Sequence, residues 1–153
     1  MKLKGEDIKR FIPQREPFIM VSEFEVRDDK SAVTALEVSH DNYFILPDGT
    51  MAETGLIEHL AQSCSTLAGC LAAASDVEME RPPIGLIGEV KHFECHRRPR
   101  VGEKVKSIVT FGMTFGNVTL ATGQTFVDEA GEPHSEDQAG EPIADIQLKI
   151  FMQ

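Results

Sequence analysis

Residues 54–75 carry the most informative pattern in the chain: Ile57, Leu60, Ala61, Cys64, Leu67, Ala68 and Leu71 recur at helical spacing and form one apolar face. Glu58, Gln62, Ser65, Thr66 and Gly69 fall on the opposite face. Between Gly55 and Ser75 the one formally charged residue is Glu58, in a chain that is 26% charged overall. A surface helix carries charge along its outer face, so this pattern predicts a helix buried nearly all round. Segments of β-rich composition read as strands: 18–26, 32–38, 84–93, 104–111, 118–127 and 143–151. In the last, Ile146, Leu148 and Ile150 alternate with Asp145, Gln147 and Lys149. A short helix is expected over residues 5–11, stopping before Pro13. Gly116-Asn117 and Ala130-Gly131 supply the turns of antiparallel hairpins. About six strands around one buried helix make an α+β arrangement, a curled antiparallel sheet wrapped around one long central helix.

Length and composition fit this picture. The 153 residues are expected to form a single domain, 1–153, large enough to bury a core without disulfides or metals. Residues 128–142, rich in Glu, Gly, Asp and Pro, read as an acidic loop between strands. A net charge of −10 argues against a nucleic-acid partner, which needs a concentrated positive surface. No stretch of about 18 consecutive apolar residues is present, so no membrane span is expected. The N-terminus lacks the apolar run of a signal peptide. Cys64, Cys70 and Cys95 are odd in number without paired C-x-x-C spacing, which suggests reduced thiols in a cytoplasmic protein, with no metal.

Four features offer chemistry. Glu58 is an isolated carboxylate near the start of a buried helix, where desolvation favours the neutral acid and hence proton donation; the competing reading is a structural carboxylate held by a donor. The helix start at Glu53, Thr54 and Gly55 offers free backbone N–H groups and the positive end of the dipole to a carbonyl or enolate oxygen, as any helix start does. Of five histidines, His40, His59, His92, His96 and His134, His40 precedes the loop feeding the helix and is best placed by sequence order to act as a base. Taken singly, each also fits a surface or cap role. Arg97, Arg98 and Arg100 concentrate positive charge in an acidic chain. They suit either a phosphate or an acidic partner, or surface pairs with the surplus acids.

Three segments together resemble the hot-dog 3-hydroxyacyl-acyl-carrier-protein dehydratases, nearest the subgroup associated with aryl-polyene and related pigment biosynthesis. Ile12-Pro13-Gln14-Arg15-Glu16-Pro17-Phe18-Ile19-Met20-Val21 resembles the family's N-terminal motif. Leu56-Ile57-Glu58-His59-Leu60-Ala61-Gln62 resembles its central helix, and Glu94-Cys95-His96-Arg97-Arg98-Pro99-Arg100-Val101-Gly102-Glu103 its strand-turn. The resemblance implies a hot-dog fold and a homodimer, or a heterodimer with a related hot-dog subunit. It also implies an acyl-thioester substrate carried on phosphopantetheine by an acyl carrier protein, with no other cofactor. Glu58 maps onto the acid and Gln62 onto the polar residue one turn later. The chain departs from the pattern twice. Gln14 stands where the family's N-terminal motif has histidine, and Phe44-Ile45-Leu46-Pro47-Asp48-Gly49 lacks the histidine of the loop before the helix. Either His40 takes the base's part, or a second subunit supplies it, or the chain dehydrates nothing. A non-catalytic carrier-binding subunit and a thioesterase using Glu58 to orient water are the alternatives to a dehydratase.

Overall fold

The computed structural model describes residues 1–75, 80–128 and 140–153. Seven strands form one sheet: β1 (Lys2–Lys4), β2 (Glu23–Val26), β3 (Ser31–Glu37), β4 (Gly85–Cys95), β5 (Lys104–Phe115), β6 (Val118–Asp128) and β7 (Ala144–Met152). A 3-10 helix, Gly5–Arg10, follows β1, and the single α-helix among the described residues, α1 (Glu53–Ala74), lies between β3 and β4. The spatial order is β1-β2-β3-β5-β6-β7-β4, with every neighbouring pair antiparallel. The chain therefore leaves β3, crosses one face of the sheet as α1, and returns as β4 at the far edge. That crossing puts the helix inside the curl. The architecture is the expected hot-dog, a curled but unclosed antiparallel sheet around one long helix.

Alternation on the strands explains where the core sits. Val105, Ser107 and Val109 of β5, Ala121, Gly123 and Thr125 of β6, and Ala144, Ile146, Leu148 and Ile150 of β7 are buried toward α1, with more exposed residues between them. On the helix every residue from His59 to Leu67 is buried, so its middle is enclosed on all sides, whereas its last turn, Ala73 to Ser75, is exposed. Small residues permit this. A Cβ on Gly69 would lie 2.6 Å from the backbone oxygen of Phe11, so only glycine lets the helix pass so close to that loop.

Several boundaries differ from the sequence pattern. The tripeptide β1 is too short to show periodicity, and the first expected helix is 3-10. Of the segment 18–26 only Glu23–Val26 joins the sheet. The reason is visible at Phe18 and Met20, whose backbone groups are taken by side chains of α1. Gln62 Nε2 donates to the Phe18 carbonyl at 2.7 Å, the Met20 N–H donates to Gln62 Oε1 at 2.7 Å, and His59 Nδ1 donates to the Met20 carbonyl at 2.6 Å. These bonds replace a ladder. The Gly116 turn joins β5 to β6 as expected, whereas Ala130-Gly131 and His134 lie outside the described residues.

Candidate active site

Glu58, Ala61, Gln62 and Ser65 recur at i, i+3, i+4 and i+7, which stacks them on one face of α1. They form one wall of a groove of about 240 Å³, closed by Gln14 and by Gly85, Leu86 and Ile87 at the start of β4. Gly85 keeps that wall close to the helix, since a Cβ there would meet Ser65 Oγ at 2.5 Å. The groove thus lies between the buried helix and β4, a strand whose only neighbour among the described residues is β7.

Glu58 is half-buried, less enclosed than the sequence suggested, and its side chain faces the groove. One of its oxygens accepts from Gln62 Nε2 at 2.8 Å. Gln62 is 1% exposed, its Nε2 donating to both Glu58 and the Phe18 carbonyl and its Oε1 accepting from the Met20 N–H. The carboxylate is therefore presented in a fixed position, its remaining oxygen free for chemistry.

His59, next in sequence, points the opposite way and is not a surface residue. It is fully buried, and because the Met20 carbonyl can only accept, the proton of the neutral ring sits on Nδ1. Nε2 then accepts from the Ser107 hydroxyl at 2.9 Å, and Ser107 in turn accepts from Thr125 at 2.8 Å. Burial pushes the His59 pKa down to about 4. The ring holds helix to sheet and takes no part in the groove.

The other expected site residues are distributed as follows. His40 is exposed on the loop after β3 and does not line the groove. At the start of α1, Glu53 and Thr54 are exposed while Gly55 is buried beneath Met51 and Phe44, where a Cβ would come within 2.8 Å of both side chains. The Gly55 N–H bonds the Ala52 carbonyl at 2.9 Å. The arginines divide. Arg97 forks onto Glu103 at 2.8 and 2.9 Å, which holds the Glu103 carboxyl below the usual carboxylate range, and Arg98 bonds Asp48 at 3.2 Å and Thr50 at 3.1 Å. Arg97 thus closes the turn on itself, and Arg98 fastens it to the loop that leads into α1. The Arg100 guanidinium is exposed and makes no side-chain hydrogen bond to a described residue, though its charge acts on the nearby Glu103 carboxyl. Glu94, His96 and Asp145 bring possible ligand atoms within 4.8 Å of one another, but they are solvent-facing and Asp145 already accepts from Gln124 at 2.9 Å.

Gln14, Ser65 and the Gly85–Ile87 segment complete the groove and were not picked out as site residues from the sequence. Ser65 was findable, lying seven residues after Glu58 on the same helical face. Gln14 and β4 are brought in by tertiary folding alone.

The sequence matches the family model described as ApeP-like, ApeP dehydratase, over residues 6–113. None of the curated proteins matches it. Among solved structures, the chain is similar to the dehydratase heterocomplex ApeI:P from Xenorhabdus doucetiae, with a TM-score of 0.79 at 14% identity, covering 95% of this chain and 90% of that one. It is also similar to the PaaI protein of the phenylacetic acid degradation operon of E. coli, with a TM-score of 0.59 at 8% identity over 84% and 80% of the two chains. A hypothetical thioesterase from Streptococcus pneumoniae, solved with coenzyme A, gives a TM-score of 0.61 at 9% identity over 85% and 84%. At these identities the structural likenesses establish the fold.

Proposed function

The chain belongs to the ApeP-like dehydratase family, and from that premise we propose that it acts on a 3-hydroxyacyl thioester with Glu58 as the proton donor, as one subunit of a hot-dog pair. The observation that carries this reading is the groove itself: a half-buried carboxyl, oriented by Gln62, facing a cavity bounded by the unpaired edge strand β4. In the reaction a base removes the α-proton and the C3–O bond breaks. The Glu58 carboxyl gives its proton to the departing hydroxyl, so that water and an enoyl thioester leave. The backbone N–H groups of Glu53 and Thr54 at the start of α1 suit the thioester oxygen, on which negative charge develops. Arg100 is the arginine left available for a phosphopantetheine phosphate or an acidic carrier protein.

The base is the part the groove lacks. No histidine among the described residues lines it, and His40 would have to reach it from an exposed loop. Because the groove opens beside the unpaired strand β4, a second subunit docked on that edge is well situated to contribute the missing group. The related protein from Xenorhabdus is described as a heterocomplex, which favours a related hot-dog chain as partner over a second copy. The same absence supports a second reading, in which this chain is the non-catalytic half of such a pair. Incubating a 3-hydroxyacyl pantetheine thioester with the chain alone, and with a hot-dog protein encoded beside it, separates these readings. Enoyl product supports dehydration; free thiol would instead indicate hydrolysis, and no product in either mixture would leave a binding subunit.

A further inference from the structure

We propose that Gln14 is the groove's contact for the substrate hydroxyl, so that the site selects 3-hydroxyacyl thioesters over their 3-deoxy counterparts; this rests on the dehydratase reading above. The starting point is an unsatisfied group. Gln14 Oε1 is shut off from solvent without a hydrogen-bond partner, and the side-chain amide bonds to no described residue. A buried amide oxygen without a donor is unfavourable, and folded proteins leave few of them. Gln62, on the facing wall, is the internal comparison: the same side chain there makes three bonds, to Met20, Phe18 and Glu58. Folding thus uses Gln62 fully and leaves Gln14 with its capacity intact, in the same groove as Glu58.

The chemistry of the proposed reaction specifies what such a group is for. A hydroxyl that is about to leave accepts a proton from the acid through a lone pair. Its own hydrogen then needs a separate acceptor, because Glu58 acts toward it as a donor. An amide oxygen is such an acceptor, and the last torsion of glutamine is broad enough to turn it toward the groove. With the hydroxyl hydrogen held by Gln14, a lone pair is directed at Glu58. A ligand without the hydroxyl leaves Gln14 as unsatisfied as it is in the free chain.

The test is binding of two pantetheine thioesters of equal chain length, one 3-hydroxyacyl and one 3-deoxy, to the full chain carrying Glu58→Gln so that neither is consumed. Isothermal titration should give roughly tenfold tighter binding of the hydroxy ligand, the worth of one neutral hydrogen bond. In the Gln14→Met, Glu58→Gln double variant that ratio should fall to about one, mainly through weaker binding of the hydroxy ligand, while the thermal midpoint is unchanged or higher. An unchanged ratio, as when a trapped water already satisfies Gln14, overturns the inference. So does an equal loss for both ligands, which would mean that Gln14 only shapes the groove. If the ratio collapses as expected but wild-type protein with its partner yields no enoyl product, the hydroxyl contact stands and the dehydratase reading fails. If neither thioester binds, both fail.

Discussion

His59 joins the helix to two strands and to the N-terminal loop through a chain of bonds in which Nε2 accepts from Ser107 only while the ring is neutral, in a site where burial disfavours the charged ring. Its pKa is depressed to about 4 from the ordinary 6.5, so as pH falls the unfolded chain takes up this proton first. Stability is therefore lost from about pH 6.5 downward, and the loss is complete near pH 4, amounting to about 3 kcal/mol. Carboxylates held below their ordinary value of 4.5, such as Glu23 and Glu103, lose their contribution only at lower pH, which leaves the window from 6.5 to 4.5 to His59. Urea unfolding across that window should show stability falling with pH in the wild type and a flatter profile in His59→Gln. Equal slopes would contradict the assignment. The burial of His59 was not legible in the sequence. Polar residues on a helix are usually read as its outer face, and here Gln62, Ser63, Ser65 and Thr66 are buried beside it. Arg97 and Arg98 were equally ambiguous, since a basic cluster looks the same whether its partners are ligands or the chain's own Glu103, Asp48 and Thr50.

Among elements, α1 was the most legible because a long charge-free amphipathic run has no other good home in a chain this acidic. Its bounds, Glu53–Ala74, agree with the expected 54–75 to within one residue at each end. β7 was legible from its alternation, and β5 and β6 from their β-rich composition. What failed was residues 18–20, which have strand composition but whose Phe18 carbonyl and Met20 N–H and carbonyl bond Gln62 and His59, two side chains about forty residues away in sequence and so invisible to any local pattern. The close approach of that loop to α1 gives a test at Gly69. Replacing a mid-helix glycine by alanine usually stabilises by about 1 kcal/mol. Here the new methyl would sit 2.6 Å from the Phe11 backbone oxygen, which belongs to the chain's frame and not to the end of a flexible side chain. Overpacking of this kind costs about 1–3 kcal/mol, so Gly69→Ala should be net destabilised. A thermal midpoint above that of wild type would show that the loop yields easily.

At the scale of the whole molecule, the sheet is open at β1 and at β4, and the two edges are unlike. β1 is three residues long and flanked by the Lys2–Glu25 and Lys4–Glu23 ion pairs, features that discourage further pairing. β4 is eleven residues long, and its Leu86, Ile87 and Val90 are 47%, 39% and 40% exposed. A long edge left unpaired, with these apolar side chains exposed among charged ones, is a pairing site, so sedimentation should find the protein as a dimer or a multiple of one, alone or with a related subunit. Val90→Lys should release monomers, because a charge enclosed at the seam is costly. Wild-type monomer at micromolar concentration, with and without that subunit, would remove the edge argument. The general form of this assembly was implied by the sequence resemblance, but which edge is open depends on strand order, which periodicity does not encode.

The central claim is that Glu58 is an acid held ready by Gln62, and Glu58→Gln in the assembled protein tests it most directly. The substitution keeps the shape and a hydrogen-bonding group while removing the ionisable proton. Conversion of a 3-hydroxyacyl thioester to its enoyl product should fall about 10²–10⁴-fold per folded complex, with assembly and thermal midpoint little changed. Undiminished turnover per folded complex would contradict the account and make Glu58 a structural carboxylate.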